Sequence, residues 1–321
     1  MRSRSSIPQH SMAFPDVRPS SAQREMLERV FAQFSLSEIV RQKRIGADEI
    51  ILGSCLGQGS YGVVRVSKWQ GRLVATKSAH KSCLGEREVR NALRASELHL
   101  KLPRHDNVIE LYGLSWSAEQ GMLMLVMELV AGMNLAQVIE KEHPMAIPEP
   151  KQIHIALGIA RGLAFLHEVP DKISRPLIHR DLKPDNILIG STGQVKIADF
   201  GTSRPAALTA SPLMSTITHG VGAPAFSAPE CLNCSTYDHR VDIWSYGCIL
   251  SCMGNGWSLP FCTKWLPDGQ GSLLSRLANG ALKPDVPETS VFRPLVRDCC
   301  QYDPACRTSA AAVVLQLEAL Q

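Results

Sequence analysis

The residues of this chain that are best suited to chemistry lie between Ile178 and Gly201. Asp181 precedes Asn186 by five residues, Asp199 follows later, and all three sit in polar turns. Carboxylate and amide oxygens are the hard ligands that a small divalent cation such as Mg²⁺ prefers. We therefore expect Asn186 and Asp199 to hold a metal ion, and Asp181 to accept a proton from an attacking hydroxyl group.

Two short apolar segments, 187–189 and 195–198, separate the predicted metal ligands and flank a turn at Gly193. This pattern predicts a small hairpin that sets the spacing between Asn186 and Asp199.

A glycine-rich stretch occurs much earlier in the chain. Gly57, Gly59 and Gly62 lie among alternating apolar residues, which predicts a strand, a tight turn and a returning strand. Glycine lets the backbone approach phosphate oxygens and present its N–H groups to them. The spacing alone is weak, because dinucleotide sites and ordinary turns share it. Here it is followed by a second apolar segment, 73–76, that leads into Lys77.

Taken together, these motifs resemble a eukaryotic protein kinase over roughly residues 48–320. The strings HRDLKPDN and DFG resemble its catalytic and metal-binding loops, and the glycine stretch resembles its phosphate-covering loop. The strings MELVAGMNL, SAPE and DIWSYG follow the kinase order for the hinge, the anchor of the activation segment and a brace of the catalytic loop.

The resemblance implies a set of site residues. Asp181 is the catalytic base, Lys183 stabilises the transferring phosphoryl group, and Lys77 binds the α- and β-phosphates of ATP. Val64 and Ala75 cover the adenine ring, with Met127 as gatekeeper. The metal ligands for Mg²⁺ are Asn186 and Asp199, and the implied nucleotide-binding residues are Leu56, Gly57, Gly59, Gly62, Val64, Ala75, Lys77, Glu97, Met127, Glu128, Val130, Asn134 and Leu188.

One of these assignments depends on the register of a predicted helix over 86–102. In a kinase this helix supplies a glutamate that pairs with the strand lysine. We assign that role to Glu97, although the usual spacing falls nearer Ala95 or Ser96, and Glu88 is the alternative.

Two further features follow from the resemblance. Segment 202–227 is long and rich in Ser, Thr, Ala and Pro, which is typical of a functional loop. It resembles an activation segment in which an upstream kinase adds a phosphate that pairs with Arg180. The predicted acceptors are Thr209, Ser211, Ser215, Thr216 and Thr218. Structural roles are also implied: a buried pair between Glu230 and Arg307, and a brace of the catalytic loop by Asp242.

The implied fold is α+β, with a small antiparallel sheet lobe carrying one helix and a larger, mainly helical lobe. We expect a disordered tail over 1–21, a helical extension over 22–47 and the kinase domain over 48–320. Its lobes would span 48–127 and 135–320, joined by a hinge at 128–134. The extension either packs on its own domain or binds a partner. Its apolar residues recur at helical intervals: Met26, Val30, Phe31, Phe34, Leu36, Ile39 and Val40.

Composition limits the classes of partner. The 321 residues carry a net charge of +4 without a block of Lys and Arg, which argues against nucleic-acid binding. The longest apolar run, 122–131, is too short to span a membrane. No secretory signal accompanies the ten cysteines, which favours a soluble cytoplasmic protein, with the nucleus left open. Cys231 and Cys234 form a CxxC without a second pair. The oligomeric state stays open.

The predicted activity is transfer of phosphate from Mg-ATP to protein Ser and Thr hydroxyls. Lys183 is typical of serine/threonine kinases, and the strings EIILG and ADFGTSR resemble the tyrosine-kinase-like group. Two alternatives remain: a pseudokinase that acts as a binding scaffold, and a small-molecule phosphotransferase. The scaffold is kept open by Ala223, which stands where serine/threonine kinases usually have Thr.

Overall fold

The fold was analysed in a computed structural model, and it is the two-lobed α+β architecture that the sequence predicts. The predicted tail up to residue 18 and all five predicted phosphate acceptors lie outside the described residues. The structure describes residues 19–59, 62–79, 85–141, 147–168, 176–202, 204–205, 223–233, 235–256, 270–284 and 286–321.

The small lobe is built on a five-stranded antiparallel sheet in the order β1-β2-β3-β5-β4. The turn between its second and third strands uses Gln70 and Gly71, both at positive φ (47° and 79°), as a two-residue hairpin in a right-twisted sheet requires. The strands are β1 (Ile50–Gly59), β2 (Gly62–Trp69), β3 (Arg72–Ala79), β4 (Leu111–Ser117) and β5 (Met122–Met127), and helix α3 spans Glu86–Lys101.

The N-terminal extension forms two helices, α1 (Ser21–Phe34) and α2 (Glu38–Gln42). The Ser20 hydroxyl caps α1 by accepting a hydrogen bond from Gln23 N (3.2 Å). The apolar pattern was right for most positions, but Leu36 is 79% exposed because it lies in the break between the helices.

The large lobe is organised around two buried helices, α5 (Glu149–His167) and α7 (Arg240–Gly254). The hydroxyl of Tyr246 on α7 donates to Ala156 O on α5 (3.1 Å). The other helices are α4 (Leu135–Lys141), α6 (Pro229–Leu232), α8 (Gln270–Ala278), α9 (Arg293–Cys299) and α10 (Ala310–Glu318).

Five short strands lie where the lobes meet. Strands β6 (Gly132–Asn134), β8 (Ile187–Gly190) and β9 (Val195–Ile197) form one sheet, and β7 (Leu177–Ile178) pairs with β10 (Arg204–Pro205). The predicted hairpin is therefore confirmed as β8 and β9, with Gly193 at φ 89° in its turn. A side chain at Gly158 of α5 would begin 2.6 Å from Val195 Cβ, so glycine allows the hairpin to rest closely on the helix.

Among the described helices, none combines the length and apolar character that crossing a membrane would need.

Candidate active site

The loop that carries Asp181 is fixed by the carboxylate of Asp242. The backbone N–H groups of His179 and Arg180 donate to Asp242 Oδ2 and Oδ1 at 2.8 and 2.9 Å. His167 Nε2 donates to the same carboxylate (3.0 Å). Burial on its own would raise the pKa of Asp242, but these hydrogen bonds and the nearby histidines outweigh it and lower the pKa. The predicted brace is thus present, and His167 is a further member that sequence reasoning missed.

Asp181 lies in a cage of its own loop. Asn186 Nδ2 donates to the backbone oxygen of Asp181 (2.7 Å) and to its Oδ2 (3.1 Å). Lys183 Nζ lies 3.0 Å from the same carboxylate oxygen. Burial alone would lower the pKa of Lys183, but the charge and hydrogen bond of Asp181 raise it, so the ammonium stays protonated. The three residues that were predicted from HRDLKPDN are therefore in direct contact.

Asp199 pairs with the strand lysine. Lys77 Nζ lies 2.6 Å from Asp199 Oδ1, and Asp199 adopts φ 64°, a left-handed conformation that is unusual for a residue with a side chain. Removal from solvent would raise the pKa of Asp199, but the charge and hydrogen bond of Lys77 outweigh it and lower the pKa. The carboxylate is therefore ionised at neutral pH.

A backbone hydrogen bond joins the two segments that carry Asn186 and Asp199. Ala198 N donates to Asn186 O (2.8 Å), which places the residue before Asp199 directly against the predicted amide ligand. One carboxylate and one amide oxygen fit Mg²⁺, which usually takes one or two protein ligands together with substrate phosphates and water. Within the described residues, His, Cys, Asp and Glu form no cluster of three or more that would hold another metal.

One face of the small-lobe sheet carries the predicted adenine and phosphate contacts. Val64 is paired with Lys77 across β2 and β3, and Ala75 is paired with Met127 across β3 and β5. Paired residues, and residues two apart on one strand, project from the same face of a sheet. Val64, Ala75, Lys77 and Met127 therefore share one surface.

The glycine hairpin covers the edge of this surface. Gly57 pairs with Val64 and Gly59 with Gly62, while residues 60–61 lie outside the described part of the chain. Among the described residues, and apart from its chain neighbours, no atom lies within 4 Å of where a side chain at Gly57 would begin. Leu56, the residue before it, is 50% exposed.

The segment between the lobes is held by both of them. Glu128 N donates to Glu110 O (2.9 Å), and the Glu128 carboxylate lies 3.0 Å from Lys196 Nζ on β9. The Asn134 side chain accepts from Gln137 N (2.8 Å) and so caps α4. Sequence reasoning missed the pair of Glu128 and Lys196, because one residue lies between the lobes and the other on β9.

Two more predicted residues line this junction. Val130 is half-buried against the core of the large lobe, and Leu188 on β8 faces Asn134 across the sheet.

The structure does not place Glu97 against Lys77. Its carboxylate accepts hydrogen bonds from Ser37 Oγ (3.0 Å) and Lys101 Nζ (2.9 Å), whereas Lys77 pairs with Asp199. The alternative, Glu88, folds back over the start of α3, where its Oε2 lies close to Gly85. The sequence spacing had pointed to Ala95 or Ser96, and both are buried in α3. The structure therefore places no predicted helix carboxylate on Lys77.

Comparison with known proteins decides the family. The protein kinase domain family matches residues 51–317, which is most of the chain. This chain belongs to the protein kinase domain family. The family resemblance of the sequence is thereby confirmed.

Individual kinases match over two thirds of this chain or more. A probable serine/threonine-protein kinase of Dictyostelium discoideum is 30% identical over 91% of this chain and 20% of its own length. A putative serine/threonine-protein kinase/receptor of Acanthamoeba polyphaga mimivirus is 30% identical over 85% of this chain and 15% of its own. Mitogen-activated protein kinase kinase kinase 7 of Homo sapiens is 32% identical over 67% of this chain and 32% of its own. The chain spans a third or less of the length of these relatives.

This kinase domain contains a histidine contact that sequence reasoning missed. The ring of His99 on α3 lies 4.4 Å from the ring of Phe200, the residue after Asp199, and its Nε2 donates to Ile109 O (2.7 Å). Burial lowers the pKa of His99 to about 4, with a further lowering by His179 and an opposing effect of the Ile109 bond. The imidazole is therefore neutral at physiological pH.

The predicted anchor of the activation segment is confirmed. Arg307 Nη1 and Nη2 donate to the two carboxylate oxygens of Glu230 at 2.6 and 2.8 Å, and the guanidinium lies over the Trp244 ring. Upstream of this anchor, Ala223 begins a short 3₁₀ helix. Cys231 is buried, but Cys234 lies outside the described residues, so the structure does not describe the CxxC pair.

Proposed function

We propose that this chain is a serine/threonine protein kinase that transfers the γ-phosphate of Mg-ATP to protein Ser and Thr hydroxyls. The observation that carries the proposal is the cage around Asp181, in which Lys183 and Asn186 bind its carboxylate. A base with an adjacent cation and an adjacent metal-ligating amide is what hydroxyl attack on a phosphate needs.

Within this mechanism Asp181 orients the substrate hydroxyl and accepts its proton. Lys183, held 3.0 Å from Asp181, neutralises charge that develops on the transferring group. Lys77 is directed at the phosphates from β3, with Val64 and Ala75 on the same sheet face against the adenine ring. The protein therefore contributes mainly position and charge.

Magnesium supplies charge neutralisation on the phosphate oxygens when it is bound. Asn186 and Asp199 would hold it, which is supported by the backbone bond from Ala198 N, next to Asp199, to Asn186 O. The ionised state of Asp199, which Lys77 maintains, keeps a ligand ready at neutral pH.

We further propose that the substrates are proteins, that the chain acts inside the cell, and that it is similar to tyrosine-kinase-like enzymes. The named relatives are serine/threonine kinases, which supports the choice of hydroxyl. An upstream kinase that acts on segment 202–227 is part of this proposal. Arg180 adjoins Asp181, so a phosphate bound to Arg180 would affect the catalytic loop directly.

The test is transfer of label from γ-labelled ATP to a generic basic protein in the presence of Mg²⁺. Wild type is compared with Asp181→Asn, which keeps the size and hydrogen-bonding groups of the side chain but removes the base. We expect kcat to fall by about 10²- to 10⁴-fold. Asp48→Asn, at an exposed aspartate outside the site, is the matched control and should keep wild-type activity.

Phosphoamino-acid analysis of the product completes the test. Label on Ser or Thr that is lost in Asp181→Asn supports the proposal. Absence of transfer by wild type, while nucleotide still raises its thermal stability, contradicts it and favours the scaffold. Transfer to small hydroxyl compounds but not to protein favours the other enzyme class.

A further inference from the structure

The N-terminal helices bury an apolar face against the small lobe. Leu27, Val30 and Val40 are completely buried, and Phe31 is nearly so. They join a single hydrophobic cluster with residues of α3 and of strands β4 and β5. The ring of Phe31 lies 5.9 Å from that of Trp116 on β4. Burial of four large side chains contributes several kcal/mol, so the extension is part of the folded lobe and not a loose tail.

Polar contacts fix the register of this extension along α3. Near the start of α3, Arg90 Nη1 donates to Gln33 Oε1 (2.5 Å). Near its end, Ser37 Oγ donates to Glu97 Oε1 (3.0 Å). A hydrogen bond to a carboxylate is stronger than one between neutral groups. The extension is therefore hydrogen-bonded to α3 at two positions, Arg90 and Glu97, which are about two helical turns apart.

The opposite side of α3 contacts the active site. His99 follows Glu97 by two residues, which places the two side chains about 200° apart around a helix. Glu97 binds the extension, while the His99 ring lies tilted against that of Phe200 and its Nε2 donates to Ile109 O. Phe200 adjoins Asp199, the partner of Lys77. Helix α3 therefore lies between the extension on one side and, on the other, the Phe200 side chain next to the metal ligand Asp199.

We propose that residues 20–43 are a positioning element for the Lys77 and Asp199 half of the site, with the Ser37–Glu97 hydrogen bond as its anchor. Glu97 is then a positioning residue, because it binds the extension and not the nucleotide. A shift of α3 at Glu97 displaces His99, and the displaced ring no longer holds Phe200 and Asp199 in place. The catalytic readout of this inference rests on the proposed kinase function.

The anchor can be broken by charge without weakening the helices. Ser37 is the N-cap residue of α2, and Asp is an equally favourable N-cap. Ser37→Asp therefore preserves α2 but sets a second carboxylate against Glu97. Adding Glu97→Gln to it removes the repulsion, because the amide can donate to the new carboxylate. Ser20→Asp is the matched control, since it places the same charge at the N-cap of α1, an exposed position.

Transfer activity and hydrogen exchange of α3 are measured for wild type, Ser37→Asp, Glu97→Gln, the double variant and Ser20→Asp. We expect Ser37→Asp to lose about tenfold in kcat with faster exchange in α3, and the double variant to return within about threefold of wild type. Ser20→Asp should match wild type in both measurements. Glu97→Gln alone should stay within about threefold.

Two results would overturn the inference. One is unchanged α3 exchange in Ser37→Asp. The other is a loss of about a hundredfold or more in Glu97→Gln that the double variant retains, which would place Glu97 on the phosphate-binding lysine. The exchange measurement needs no transfer, so an inactive wild type would contradict the proposed function and still leave the positioning element tested.

Discussion

The two halves of the candidate active site are held by different kinds of contact. On the Asp181 side, two backbone N–H groups and His167 bind the carboxylate of Asp242, whose side chain is 1% exposed. On the Lys77 side, one ion pair joins Lys77 to Asp199, and these side chains are 22% and 33% exposed. The first half belongs to the core of the large lobe, whereas the second is only partly buried.

Because of this difference, the Asp181 side of the site is held rigidly, whereas the Lys77–Asp199 pair can change its contacts. A buried charge that loses its partners costs several kcal/mol, so the catalytic loop can change only when the large lobe does. A partly exposed pair contributes about 0–1 kcal/mol and can exchange partners cheaply. The Lys77 half can therefore respond to nucleotide, to Mg²⁺ and to the position of α3, while the base stays fixed.

The largest expected effect concerns the buried ion pair of Glu230 and Arg307 in the large lobe. Glu230→Gln leaves Arg307, whose side chain is completely buried, without its carboxylate partner. We expect the free energy of unfolding to fall by about 3–5 kcal/mol, measured by urea denaturation.

The control is the same substitution in an exposed Arg–Glu pair that is joined by a single hydrogen bond. Glu318 lies 2.8 Å from Arg161, and these side chains are 41% and 48% exposed. Glu318→Gln should cost less than about 1 kcal/mol. Equal losses in the two variants would mean that burial does not distinguish these pairs.

Asp242→Asn should have the next largest effect. It removes the charge that accepts the His179 and Arg180 N–H groups, so the free energy of unfolding should fall by about 1–3 kcal/mol at pH 7. Transfer activity should fall with it, because the backbone of the catalytic loop is released. Wild-type activity in a destabilised Asp242→Asn would show that the brace serves the fold alone.

The same variant has a defined pH dependence. The pKa of Asp242 is lowered in the folded state, whereas an unfolded Asp titrates near about 3.9. Between these two values the unfolded chain binds more protons, so the contribution of Asp242 is present above about pH 4 and is lost as the pH falls through the folded pKa. Urea titrations of wild type and Asp242→Asn should therefore converge below about pH 4. A constant difference down to pH 2 would contradict the assignment.

Lys77→Met should have the smallest effect on stability and a large effect on activity. Because the pair with Asp199 is partly exposed, the free energy of unfolding should change by no more than about 1 kcal/mol. Transfer should fall by about 10²-fold or more, since a cation aimed at the phosphates is lost. Lys68→Met, on the exposed side of β2, is the matched control and should leave both quantities unchanged.

The same contrast explains what the sequence could predict. The catalytic hairpin was predicted from its two apolar segments and the Gly193 turn, whereas the Asp242 brace and the Glu230–Arg307 pair were predicted from the resemblance to the kinase family, since they join residues far apart in the sequence. The predicted contact of Glu97 with Lys77 is not present in the structure, since the direction of an α3 side chain depends on how the helix packs. The N-terminal helices pack against α3, and their apolar pattern shows a buried face but not the surface that it meets. His99 carried no signal at all.

Hydrogen exchange resolved to single amides tests most directly whether the two halves are held independently. The N–H groups of His179 and Arg180, bound to the buried Asp242, should exchange only through global unfolding of the large lobe. Amides in α1, α2 and α3 should exchange together through a smaller opening of lower free energy. Exchange of the catalytic-loop amides at the same free energy as those of α3 would contradict this account, because the two halves would then be one cooperative unit.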